Sequence, residues 1–144
     1  MSILTPRIDA LEDRKYAIHT LSAPIAVDTT DISDLKFNNL EIGKTYRITV
    51  HARTTNTDVS DSTLKAIHDS ATLVNTEWTM ATADGFDDVV IMQSVNVIFE
   101  ATATTLSFDF NESTNSVLQG NGSTEETFVM LEELNDYATT TDWD

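Results

Sequence analysis

Between positions 45 and 53 apolar and polar side chains alternate without a break: Tyr46, Ile48, Val50 and Ala52 on one side, Arg47, Thr49, His51 and Arg53 on the other. A period of two belongs to a β-strand with one dry face and one wet face, and no helix satisfies it. The same period returns at Val95, Val97, Phe99 and Ala101, and again at Leu106, Phe108 and Phe110. Beyond residue 15 hardly any stretch carries helical spacing, and 23 threonines, stiff at their branched Cβ, favour extended backbone.

Read in order, residues 16–21 form a first strand closed by Ser22-Ala-Pro24, where Pro24, lacking an N–H, marks an edge or a bend. Residues 25–27 continue it briefly, and the Asp/Ser/Thr-rich run 28–34 is a loop. Gly43-Lys44 turns the chain into the clear strand 45–53, and residues 54–62 are expected to form a solvated loop. Strands at 64–68 and 71–78 flank a tight turn at Asp69-Ser70. After an acidic turn at 84–88 come the apolar run 89–92, a strand at 94–101 and a tight hairpin at Thr104-Thr105 into 106–110. Residues 111–124 read as a polar connector in which Gly120 and Gly122 are able to take positive φ. The last strand, 127–134, is nearly continuously apolar, which predicts contact on both of its faces. About eight strands spaced by roughly 10 to 15 residues predict an all-β fold, an antiparallel β-sandwich with jelly-roll connections. The expected division is an N-terminal arm at 1–15 and one sandwich domain at 16–144 ending in a short acidic tail. In the arm, Ile8 and Leu11 share a helical spacing that supports one or two turns needing something to pack on.

The net charge of −16 is unevenly placed, because all eight Lys and Arg residues lie at or before position 65 and fifteen acids follow. Phosphate binding draws on cationic side chains, so the chain is a poor partner for nucleic acid or an anionic membrane. No apolar run approaches the roughly 18 to 20 residues that span a bilayer, and the first seven residues lack the apolar centre of a secretion signal. With no cysteine, the chain has neither disulfides nor thiolate chemistry.

His19, His51 and His68 lack the spacing of metal ligands. The acidic turn 84–88 lacks the alternation and terminal Glu of a calcium loop. Glu125-Glu126 and Glu132-Glu133 are adjacent in extended chain, where neighbours point to opposite faces, so neither is a preorganised acid–base pair. No nucleophile elbow, phosphate loop or dinucleotide fingerprint occurs. Asn111-Glu-Ser113 and Asn121-Gly-Ser123 match the glycosylation acceptor by chance, there being no signal peptide to bring them to a glycosylating compartment. Tyr16, Trp78, Tyr137 and Trp143 are the aromatics to follow, as packing groups or as sugar-stacking platforms. The expectation is a non-enzymatic protein without cofactor or metal.

Three stretches carry a family resemblance: Leu40-Glu-Ile-Gly-Lys-Thr-Tyr-Arg-Ile-Thr-Val-His-Ala-Arg53, Val97-Ile-Phe-Glu-Ala-Thr-Ala-Thr-Thr-Leu-Ser-Phe-Asp-Phe110, and Gly120-Asn-Gly-Ser-Thr-Glu-Glu-Thr-Phe-Val-Met-Leu-Glu-Glu-Leu134. Together they resemble the small jelly-roll domain of tailed-bacteriophage virion proteins, itself similar to the trimeric heads of the complement and tumour-necrosis-factor superfamily. Asn135 stands where that family often has proline. The resemblance implies a homotrimer on a phage particle, without catalytic residues. A sandwich beginning this early suits a head decoration or head fibre on the capsid surface, made in the host cytoplasm and bound to the major capsid protein. Attachment would fall to Arg7, Ile8, Leu11, Arg14 and Lys15, and trimer contact to Phe128 and Met130. The alternative is a tail-associated receptor binder reading glycans through loops 54–62 or 111–126.

Overall fold

A computed structural model describes residues 15–56, 60–80, 89–112 and 116–134. Eight strands, β1 (Tyr16–Thr20), β2 (Thr45–Asn56), β3 (Ser60–His68), β4 (Ala71–Met80), β5 (Val89–Glu100), β6 (Leu106–Glu112), β7 (Ser116–Leu118) and β8 (Phe128–Glu133), make two antiparallel sheets, with no helix among the described residues. The first sheet runs β1-β8-β2-β5, with β7 paired to the far end of β2; the second runs β4-β3-β6. Residues 25–37 cross between them, bridging β7 through Ile25 and Leu118, then lying along the open edge of β6 through Thr29–Phe110 and Phe37–Leu106. The chain therefore passes repeatedly from one sheet to the other, which is the jelly-roll wrapping expected from the strand spacing.

The interior is the sum of the inward halves of each alternation. Ile48, Val50 and Ala52 of β2 and Leu106, Phe108 and Phe110 at β6 are almost wholly buried, as the period-two pattern predicts. Burying a Val, Ile, Leu or Phe side chain contributes roughly 1.5–3 kcal/mol, so these residues supply only a share of what offsets a conformational-entropy cost on the order of 100 kcal/mol or more. Asp69 and Ser70 take φ of 50° and 64°, the left-handed pair that a two-residue hairpin between β3 and β4 requires.

Three expectations fail. Residues 54–62 are not one loop: β2 continues to Asn56 and β3 begins at Ser60, with Thr54 and Ser62 buried. A hydroxyl residue keeps the inward period when its side chain is small enough to bury, so polarity by composition hides the strand. Thr104-Thr105 is not a hairpin, since β5 lies in the first sheet and β6 in the second; residues 101–105 carry the chain between layers. The connector 111–124 contains the rest of β6 and all of β7, whose Leu118 is buried. Gly120 lacks positive φ; only Gly122 in that stretch, at 80°, has it. Gly120 is instead a close approach, where a Cβ would sit 2.5 Å from the Leu21 carbonyl oxygen. The turn 84–88, the tail from residue 135 and the arm to residue 14 lie outside the described residues.

Candidate interaction surfaces

The described chain enters and leaves the sandwich at one end. Glu133 N–H donates to the Lys15 carbonyl at 2.9 Å, and Leu134 N–H to that of Thr45 at 2.8 Å. Lys15, one of the candidate attachment residues, is thus fixed as the first rung of the β1–β8 ladder, while Arg7, Ile8, Leu11 and Arg14 lie outside the described residues. At the opposite end, segment 119–127 is held by Gln119 N–H to the Arg53 carbonyl (2.8 Å) and Gly122 N–H to the Leu21 carbonyl (3.0 Å). The described parts of the two candidate contact stretches, residues 54–56, 60–62, 111–112 and 116–126, therefore lie toward the end away from Lys15.

The register of the first sheet sets its outer face. Ile18 stands opposite Met130, and Thr20 opposite Phe128; across the next ladder Met130 meets Thr49, Phe128 meets His51, and Glu132 meets Arg47. Phe128 and Met130, the candidate trimer contacts, thus lie side by side on this face, each half-buried, while the alternating Val129 and Leu131 point into the core. Three of the five strongly exposed large apolar residues among those described belong to the same face: Tyr16 and Ile18 at one rim and Ile98 at the other, 65%, 44% and 56% exposed. The second sheet presents Thr63, Lys65, Ser107, Asp109 and Asn111 outward, with Ile67 as its apolar exception. An oligomer contact is better served by the first face, since interface cores are depleted of charge and enriched in aromatics and Met.

Both arginines on that face are paired. Arg47 reaches Glu132 at 3.3 Å, and Arg53 is bound to Glu126. The His51 ring stacks on Phe128 with centroids 5.0 Å apart and hydrogen-bonds Ser94 Oγ at 2.6 Å. Elsewhere Lys36 pairs with Asp31, and Lys44 with both Glu41 and Glu133. The Lys44 ammonium is held well above its ordinary pKa, chiefly by its hydrogen bond to Glu133. Most cations of the described residues are already neutralised by carboxylates, so a polyanion would have to displace them, in keeping with the acidic composition.

The histidines occupy three separate places. His19 stacks on Phe37 at 4.0 Å, His51 lies on the outer face, and His68 is buried at the end of β3. No group of three potential metal-ligating side chains forms among the described residues. Of the aromatics singled out, Tyr16 is exposed and Trp78 falls in β4, while Tyr137 and Trp143 lie outside the described residues.

Neither a protein-family model nor a curated protein matches the sequence. Solved structures do. Eiger TNF from S. frugiperda aligns over 89% of this chain and 97% of its own, with TM-score 0.54 and 12% identity. A chain in the structure of infectious bursal disease virus, Gt strain, aligns over 88% of this chain with TM-score 0.52 and 11% identity, this chain spanning 35% of its length. Dimeric latent PorU from Porphyromonas gingivalis matches at TM-score 0.49 and 10% identity, and the chain spans only 12% of it. The likeness is one of fold.

Proposed function

We propose that this chain is a non-enzymatic structural protein of a tailed-bacteriophage virion, a homotrimeric head decoration or head fibre anchored to the major capsid protein through its N-terminal residues. The outer face of the first sheet carries the proposal. It gathers Ile18, Phe128, Met130 and Ile98 beside paired charges, a surface suited to another copy of the same chain. Its exposed apolar residues lie at two opposite rims, β1 and β5. Two different patches joined head to tail close into a ring, as a cyclic trimer requires. Anchorage at the Lys15 end leaves the loops of the opposite end facing outward, which is the polarity of a displayed domain. The fold likeness to a viral protein supports the reading.

The test is a truncation. Lys15 is part of the β1–β8 ladder, so the cut falls after residue 14. The shortened protein should keep its oligomeric state and lose binding to bare capsids; undiminished binding overturns the anchoring role. Electron microscopy of intact particles with labelled protein places it on the head or on the tail.

A further inference from the structure

A cleft of about 220 Å³ opens at the end where the chain enters and leaves, between the start of β1, the end of β8, the start of β2 and the crossing residues 37–41. Its origin is a small side chain. The inward positions of β1 are Ala17 and His19, paired with Leu131 and Val129. The His19 ring fills the layer by stacking on Phe37 at 4.0 Å, whereas the methyl of Ala17 leaves its share empty. Ala17 consequently faces inward and yet remains exposed.

Phe37, Leu40, Tyr46 and Leu131 make an apolar floor, each at most 8% exposed. Asn38, Asn39, Glu41, Glu133 and Lys15 make a polar rim. Asn39 sits at φ 63°, a left-handed conformation that asparagine tolerates. Neither the Asn38 nor the Asn39 amide is engaged by another described group, so each offers a donor pair and an acceptor. The Tyr46 hydroxyl accepts the Glu41 N–H at 2.9 Å and keeps its own proton to donate.

Charge narrows the ligand. Lys44 joins Glu41 at 3.1 Å and Glu133 at 2.6 Å, and Lys15 adds a second cation, so the site is balanced in a chain of net charge −16. An anion would meet the repulsion of the whole molecule. A cation would compete with Lys44 for carboxylates already paired, and an apolar ligand would strand the rim's polar groups. Size narrows it further: the cleft is smaller than the roughly 300–1,000 Å³ of sites for drug-sized ligands, enough for one ring. We propose that the cleft binds a single neutral sugar residue, its C–H face on the floor and its hydroxyls hydrogen-bonded by Asn38, Asn39, Glu41 and Glu133. The cleft is lined by residues of a single chain, so its binding is tested on the free protein, apart from the capsid anchoring proposed for the Lys15 end.

Saturation-transfer NMR on the full chain with neutral hexoses and N-acetylhexosamines tests it. At least one sugar should receive transfer. Ala17→Leu, which fills the cleft from the floor, should abolish it, and Asn38→Ala should weaken affinity by about five- to tenfold, the loss of a hydrogen bond or slightly more. If Ala17→Leu fails to fold, the exposed Asn38→Ala variant decides alone. No transfer from any neutral sugar, or affinity unchanged in the folded variants, overturns the proposal.

Discussion

His68 Nε2 accepts a hydrogen bond from the Thr102 N–H at 3.0 Å, while Nδ1 donates to the Thr105 carbonyl at 2.9 Å. One buried ring at the end of β3 thereby fixes the segment that carries the chain from β5 in the first sheet to β6 in the second. The partners assign the tautomer, with the proton on Nδ1. His68→Phe would keep the contact with Phe99, 5.0 Å away, but leave both backbone groups without this partner. Because Thr102 and Thr105 are otherwise exposed, water recovers part of the loss, and the cost should fall near the low end of the roughly 1–3 kcal/mol per stranded group. Urea denaturation midpoints of the two proteins check this.

Gly120 and Gly122 separate two reasons for a glycine. A Cβ on Gly120 would lie 2.5 Å from Leu21 O and 2.7 Å from Leu21 Cβ, whereas one on Gly122 meets nothing within 4 Å but would sit at φ 80°. Gly120→Ala should therefore cost about 1–3 kcal/mol through overpacking against β1's end. Gly122→Ala should cost only about 1–2 kcal/mol of backbone strain. Gly122→Asn, better tolerated with positive φ, should recover much of the latter, while Gly120→Asn should be worse than Gly120→Ala. Thermal unfolding of the four variants reads out the contrast.

The same region shows how far sequence reasoning reaches. Where inward residues are large and apolar, as at Tyr46, Ile48 and Val50 or Leu106, Phe108 and Phe110, the alternation names both the strand and its buried face. Thr54, Ser62 and Ser116 are buried too, and there the period is carried by hydroxyls that composition assigns to loops. β7 was invisible because a strand of three residues offers only Ser116 and Leu118 as its inward pair. The exchange of sheets after β5 was hidden for another reason: Thr104-Thr105 suits a tight turn locally, and only the pairing of β6 with β3 decides otherwise. The outer positions of Phe128 and Met130 are set by the alternation of β8, which its nearly continuous apolar run masks in the sequence. The cleft was not, because it depends on Ala17 lying across from Leu131, a pairing between positions more than a hundred residues apart in sequence.

Asp34 supplies a pH signature. Its carboxylate accepts the Ser22 hydroxyl and the Ser22 N–H, the latter at 3.0 Å, and these bonds lower its pKa below the ordinary 3.8. A carboxyl depressed on folding adds stability above its unfolded pKa and loses it as pH falls through the folded value. Asp34→Asn should therefore be less stable than the parent at neutral pH, and the gap should close as pH falls through the lowered folded pKa, where the carboxyl is protonated and both side chains are uncharged. The group is exposed, so the effect is small. Chemical denaturation at neutral and acid pH measures it, and a gap that persists unchanged in acid would contradict the assignment.

Phe128 and Met130 give the sharpest test of assembly. Both lie on the outer face of β8, so changing them leaves the buried Val129 and Leu131 in place. Phe128→Glu with Met130→Glu would put two more carboxylates beside Glu132 on a face meant to meet another copy, where burying unpaired charge costs several kcal/mol per contact, on the order of a thousandfold in affinity. Sedimentation should then show the 15.9 kDa monomer in place of a trimer. Thr63→Glu on the polar outer face of the second sheet should leave the trimer intact. Circular dichroism distinguishes dissociation from unfolding, because a folded monomer keeps its β signature. A parent protein that already sediments as a monomer would remove the trimer from the proposal, and a folded double variant that remains trimeric would move the interface to another face.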